Sequence, residues 1–203
     1  MSGVPSLPVY IMAGGKSSRF GSDKARALLH GTPLLIYVAQ ALKNRSQSLT
    51  VVAESSGSYD DLGYPTIGDM TPGLGPLGGL QTALHHCKNT THEHPSSDGW
   101  FLFTSCDMMG LQADWVDMLW AGRVSGKLAV AFGPEPWDSL FALYHIDLEA
   151  EIEQRIAQQQ RAMWRMMEAN AQAVPHPMGW DRVSSINTPE ALARYAKKLS
   201  SHS

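Results

Sequence analysis

Short apolar runs alternate with helix-patterned segments along almost the whole chain, and this alternation limits the fold more than any other feature. LPVYIMA (7–13), SLTVVAE (48–54), GWFLFTSCD (99–107), KLAVAFG (127–133) and LFALYH (140–145) read as strands, with YPTIGD (64–69) as a short further one. Between and after them, TPLLIYVAQALK (32–43), GPLGGLQTALHHC (75–87), QADWVDMLWAG (112–122), LEAEIEQRIAQQQ (148–160), RAMWRMMEAN (161–170) and INTPEALARYAKKL (186–199) read as helices. Their apolar residues return at helical spacing: Leu34, Leu35, Val38, Ala41 and Leu42 in the first, Leu77, Leu80 and Leu84 in the second, Leu148, Ile152 and Ile156 in the fourth. Thr32 and Thr188, each followed by proline, carry helix-start chemistry. Strands without polar alternation, separated by helices, imply a mostly parallel sheet covered on both faces. The expectation is a three-layer α/β/α single domain spanning residues 1–203. The polar stretch KNTTHEHPSSDG (88–99) reads as a surface loop.

In an open α/β sheet, ligands bind beyond the carboxyl ends of the strands. The first such end carries MAGGKSSRFGSDK, residues 12–24. Gly14 and Gly15 let the backbone approach a ligand, and successive backbone N–H groups can cradle phosphate oxygens. Ser17 and Ser18 add hydroxyl donors, Arg19 can fork onto two phosphate oxygens, and Lys24 supplies a compact charge. The loop is not a P-loop: GKS occurs at Gly15–Ser17, but Tyr10 stands where the first glycine of that motif belongs. Nor does it have the spacing of a dinucleotide fingerprint. An oligophosphate site fits this loop, and a plain strand-to-helix connection is the alternative.

Asp69 and Asp107 each close a strand-like run and should open onto the same rim. A carboxylate there can hold Mg²⁺ beside substrate phosphates, or simply cap a helix. TPGLGPLGGL (71–80), with Gly73, Gly75, Gly78 and Gly79, makes a tight loop against which a flat base could lie. The formal net charge of −3 lacks the basic excess of a nucleic-acid coat. Cys87 and Cys106 form no CxxC pair. No signal peptide is visible and no apolar run approaches the roughly 18–20 residues of a membrane span. A cytoplasmic protein without nucleic-acid or membrane partners is expected.

MAGGKSSRFGSDKA, GPLGGLQTAL and the CDM after an apolar strand, followed in order by LFALYH and INTPEAL, resemble the molybdenum cofactor guanylyltransferases of the MobA type, from about residue 9 to residue 195. Relative to the family pattern, Met12 replaces a leucine and Phe20 a methionine. The resemblance implies a Rossmann-like nucleotidyltransferase fold, with a nucleotide-binding part at about 9–110 and an acceptor-side part at about 111–203. It implies transfer of GMP from GTP to Mo-molybdopterin, with Mg²⁺, GTP and the molybdopterin cofactor as ligands and molybdoenzyme maturation proteins as candidate partners. By the same resemblance Met12, Ala13, Gly14 and Gly15 line the nucleotide site and Arg19 and Lys24 hold the triphosphate. Asp69 would contact the guanosine, Asp107 would carry Mg²⁺, and Gly75, Gly78 and Gly79 would bound the base or sugar; Lys24, Arg19 and Asp107 would be the catalytic set.

The chain departs from the pattern in three places. LTVVAES stands where relatives carry an asparagine near the nucleotide, so that contact is missing or replaced by Glu54 or Ser55; Met109 and Ser139 each replace a proline. A CTP-dependent or other enzyme of the same fold, and a nucleotide-binding protein without catalysis, remain alternatives. His85, His86, Cys87, His92 and His94 could ligate zinc, although their spacing matches no standard finger. Arg161 and Arg165 could reach an anionic acceptor or form a solvated face.

Overall fold

A computed structural model describes residues 5–14, 20–93 and 95–201. Its strands are β1 (Leu7–Met12), β2 (Leu28–Leu29), β3 (Thr32–Pro33), β4 (Ser46–Ala53), β5 (Thr66–Gly68), β6 (Trp100–Ser105), β7 (Met108–Met109), β8 (Ala129–Phe132), β9 (Phe141–His145), β10 (Ala171–Val174) and β11 (Ser184–Ser185). Its helices are α1 (Leu34–Leu42), α2 (Pro76–Asn89), α3 (Trp115–Ala121), α4 (Glu149–Ala157), α5 (Met163–Asn170) and α6 (Pro189–Ser200).

The main sheet has seven strands in the order β10-β8-β9-β6-β1-β4-β5. β1 pairs parallel with both β4 and β6, β4 with β5, and β8 with β10. β9 runs antiparallel between β6 and β8, so the mostly parallel expectation holds with one reversed strand. From β1 the chain winds outward through α1 to β4 and β5, then returns through α2 to β6 on the other side. That reversal of winding at β1 opens a crevice at the carboxyl ends of β1, β4 and β6.

Side-chain alternation sorts the core into two layers. Leu7, Val9, Ile11, Val51, Leu102, Val130, Phe132, Phe141 and Leu143 share one cluster with the buried residues of α1 and α3. Leu192, Tyr195 and Ala196 of α6 pack on the same side. Tyr10, Val52, Phe101, Phe103, Ala142 and Tyr144 share the other with α2, α4 and the Met166–Met167 pair of α5. All six residues of β6 are buried, as a strand with covers on both faces requires.

Three local readings are corrected. Thr32 does not cap α1: Thr32 and Pro33 pair antiparallel with Leu28 and Leu29. The two-residue turn between them has His30 at φ 47° and Gly31 at φ 83°, the left-handed pair that a tight hairpin needs. Pro33 is extended and α1 starts at Leu34 with Ala39, not Ala41, on its buried face. The stretch 88–99 is not one loop, since α2 runs to Asn89 and short 3-10 turns follow at Thr91–Glu93 and Pro95–Ser97. The strand β10 continues directly from α5 with no turn residue to announce it.

Candidate functional site

Two adjoining pockets occupy the crevice. The first, of 550 Å³, is lined by Met12, Gly14, Val52, Ala53, Glu54, Asp69, Pro72, Gly73, Gly75 and Gly79. Its sides come from the ends of β1, β4 and β5 and from the loop entering α2. The second, of 410 Å³, includes Met12, Ala13, Gly14, Lys24, Pro76, Ser105, Asp107, Ser185 and Asn187 in its lining. Met12 and Gly14 belong to both, so the pockets are two compartments of one cleft. Gly75 and Pro76, at the start of the 14-residue helix α2, face one compartment each. The positive end of the helix dipole therefore lies at their junction.

The glycines of the second motif are explained by close approach. A Cβ on Gly78 would lie 2.9 Å from the Thr71 carbonyl oxygen and 3.2 Å from each carboxylate oxygen of Asp69. One on Gly79 would lie 3.1 Å from the Met12 sulfur. Gly75 has φ 63° at the helix N-cap, a conformation that L side chains rarely adopt. These residues let α2 press its first turn onto β1 and onto the loop after β5. Asp69 itself is drawn into that packing: its Oδ1 accepts from Thr71 N at 2.9 Å and lies 3.3 Å from the Thr82 hydroxyl.

In the second compartment, Lys24 Nζ donates to Asp107 Oδ2 at 2.5 Å and to Asn187 Oδ1 at 3.2 Å. Asp107 is buried at 6% exposure, so the lysine charge offsets that of a carboxylate largely removed from water. Asp107 lies two residues beyond β6 and leads into β7. β7 pairs antiparallel with β11, and Ile186 N donates to the Asp107 carbonyl at 2.9 Å. This small ladder brings Asn187 across to Lys24.

Lys24 is placed from the other side by a 3-10 turn, Lys24–Arg26, whose N-cap Asp23 accepts from Ala25 N at 3.0 Å. The Tyr59 hydroxyl lies 3.0 Å from Asp23 Oδ1 and 3.1 Å from the Ala13 carbonyl oxygen, able to give its proton to either. Arg26 forks onto Asp61 at 2.8 and 2.7 Å. The Cys106 thiol, lining the same compartment, is pushed up to about 12 by burial, with the Asp107 charge adding to the effect.

The structure thus brings together Met12, Ala13, Gly14, Lys24, Asp69, Gly75, Gly79 and Asp107, with Gly78 behind the wall. Gly15, Ser17, Ser18, Arg19 and His94 lie outside the described residues. Asn187 and Tyr59 were not singled out in the sequence; INTPEAL was read for its helix start and its family resemblance, without a role for Asn187, and nothing in the local pattern marks Tyr59. Glu54 lines the first compartment, whereas Ser55 does not. The histidines at the end of α2 diverge: His85 Nδ1 meets Glu149 at 3.1 Å and His86 Nδ1 meets the Tyr10 hydroxyl at 2.8 Å. Among the described residues no group of three or more His, Cys, Asp or Glu stands together as a metal cage. Arg161 precedes α5 rather than lying on it, and Arg165 rests over the ring of Trp164.

A family model described as the MobA-like NTP transferase domain matches residues 9–174. The chain is 33% identical over 189 residues to a molybdenum cofactor guanylyltransferase of Yersinia pestis (strain Pestoides F), a match covering 91% of this chain and 92% of that protein. Among solved structures it resembles the molybdopterin-guanine dinucleotide biosynthesis protein A from Archaeoglobus fulgidus, with TM-score 0.77 and 22% identity over 96% of this chain and 100% of that one. It also resembles a CMP:2-keto-3-deoxy-manno-octonic acid synthetase complexed with CTP, with TM-score 0.69 and 12% identity over 97% and 99% of the two chains. At these identities the solved structures speak for the fold.

Proposed function

Because the chain belongs to the family of MobA-like NTP transferases, we propose that it acts as a molybdenum cofactor guanylyltransferase, moving GMP from GTP to Mo-molybdopterin. The observation that carries the reading is the two-compartment cleft, with a glycine-walled pocket joined through Met12 and Gly14 to a pocket holding the Lys24–Asp107 pair. A nucleoside fits the first compartment and its triphosphate the second. In this reading Met12, Ala13 and Gly14 support the nucleotide, Asp69 shapes its pocket, and Gly15 and Arg19, outside the described residues, contribute to binding the triphosphate as the family resemblance implies.

The reaction joins an oxygen of the acceptor's terminal phosphate to the α-phosphorus of GTP. The bond from that phosphorus to the bridging oxygen breaks, and pyrophosphate leaves with the electron pair. Lys24 places positive charge where negative charge grows, and the N-terminus of α2 adds its dipole. Asn187 and Asp107 both accept from the lysine, which restrains its direction before substrate arrives. Ser185 and Asn187 line the phosphate compartment from the acceptor-side part of the chain, so residues 111–203 contribute directly to the cleft.

Asp107 suits a divalent cation: it is one buried carboxylate beside a space for phosphates, and Mg²⁺ is bound by one or two carboxylates with substrate oxygens completing its shell. Bound there, Mg²⁺ would neutralise charge on the phosphate oxygens. The test is calorimetric titration with GTP, CTP, ATP and UTP in the presence of Mg²⁺, followed by measurement of pyrophosphate release with Mo-molybdopterin. Selective GTP binding and GTP-dependent release support the reading. Selective CTP binding moves the protein to a cytidylyl transfer, and binding without release leaves a nucleotide-binding protein.

A further inference from the structure

We infer that Glu54 is the residue that selects guanine, its carboxylate accepting from the two N–H groups on the guanine edge. The inference rests on the nucleotide reading above and adds the basis of its specificity. Two carboxylates line the first compartment, Glu54 at the end of β4 and Asp69 at the end of β5. They are in different states. Asp69 accepts from Thr71 N, lies within reach of the Thr82 hydroxyl, and has both oxygens against the first turn of α2, where Gly78 leaves room for them. It is a bracket between β5 and α2. Glu54 is exposed at the rim, and among the described residues its carboxylate has no hydrogen bond or ion pair. Its backbone is held even so, because Gly14 packs beside Glu54 N where the parallel strands β1 and β4 end side by side.

The remaining lining is Met12, Gly14, Val52, Ala53, Pro72, Gly73, Gly75 and Gly79, which offers flat contact area and no further charged side chain. Base discrimination in such a pocket falls to the free carboxylate. An ionised carboxylate accepts and cannot donate. Guanine presents adjacent N1–H and N2–H donors, which match its two oxygens. Adenine and cytosine present one amino donor beside a ring-nitrogen lone pair, which would face an anionic oxygen. Uracil presents one N–H between two carbonyl oxygens. Of the four bases, guanine alone satisfies both carboxylate oxygens without placing a lone pair against them.

Inosine triphosphate isolates this contact, because it lacks the N2 amino group and keeps everything else. Hydrogen bonds to charged groups are worth about 1.5–3 kcal/mol, so wild-type protein should bind GTP roughly 10- to 100-fold more tightly than inosine triphosphate. Titrations of wild-type, Glu54→Ala and Glu54→Gln proteins with both nucleotides read the effect. The expected result is that Glu54→Ala brings the two affinities together, mainly by weakening GTP, while its retained binding of inosine triphosphate reports an intact pocket. Glu54→Gln should recover part of the preference. A GTP preference unchanged in Glu54→Ala overturns the assignment and leaves the nucleotide reading in place. Equal weakening of both nucleotides also overturns it, since that outcome belongs to a ribose or phosphate contact. Wild-type protein that binds neither nucleotide overturns the nucleotide site and this inference with it.

Discussion

In the proposed transfer Lys24 is the central side chain, because it holds a buried carboxylate and lines the compartment assigned to the triphosphate. Replacing it by alanine removes the positive charge that the proposed mechanism places at the α-phosphorus, and losing one such electrostatic contact costs about 100-fold or more in turnover. Pyrophosphate release by Lys24→Ala should fall by at least that factor; turnover within a few-fold of wild type would remove the lysine from the mechanism. Gly78 makes a different demand on a single atom. An added methyl would meet a backbone carbonyl at 2.9 Å and, at 3.2 Å, the Asp69 carboxylate, which the hydrogen bond from Thr71 N holds in place. Gly78→Ala should destabilise the protein by about 1–3 kcal/mol, read as a lowered midpoint in denaturant unfolding. Unchanged stability would show that the loop after β5 can retreat without cost.

At the scale of elements, one carboxylate links two helices of the second layer. Glu149, at the start of α4, accepts from Lys88 Nζ at 2.5 Å and meets His85 Nδ1 at 3.1 Å, both of them on α2. Burial acts to raise the Glu149 carboxyl, but the contacts with Lys88 and His85 outweigh it and hold it below the ordinary carboxylate range. A carboxylate depressed in this way stabilises the fold above its unfolded value near 4.5, and that contribution is lost as the pH falls through the folded value. Wild-type protein should therefore lose stability into the acid range more steeply than Glu149→Gln, measured by denaturant unfolding at pH 3 to 6; parallel profiles would show that the bridge contributes nothing. The elements were also where the sequence was most legible. β1, β6 and α2 could be read because burial on two faces or one forces an apolar pattern at a fixed period. The ladders β2–β3 and β7–β11 could not, because two-residue strands have no period. What sets them is a left-handed turn at His30–Gly31 in one case and a contact between distant segments in the other. The same division runs through the cleft. Gly14, Lys24, Asp69 and Asp107 stand in local motifs, whereas Asn187 reaches Lys24 across 163 residues of chain.

Across the whole molecule, the sheet separates two cores, and each holds one cysteine. Cys106 belongs to the α1–α3 side and Cys87 to the α2–α4 side, both almost fully buried. Burial pushes Cys87 up to about 11 and Cys106 up to about 12, so neither is a thiolate at neutral pH. Native protein should therefore leave both thiols unlabelled by a thiol reagent, and labelling should begin as the fold opens. If the layers unfold together, the two sites will label at the same denaturant concentration. Separate midpoints would reveal a structure in which one face of the sheet strips before the other.

The route by which Asn187 reaches Lys24 also bears on synthesis. A ribosome releases this chain from the amino end, so the glycine loop, Lys24 and Asp107 emerge while residues 184–187 are still to be made. β7 then has no β11 to pair with, and the lysine lacks one of its two holders. The nascent chain can bury much of its sheet before the second compartment has its last side, and the two-sided hold on Lys24 is completed late, when the segment leading into α6 folds back across the molecule.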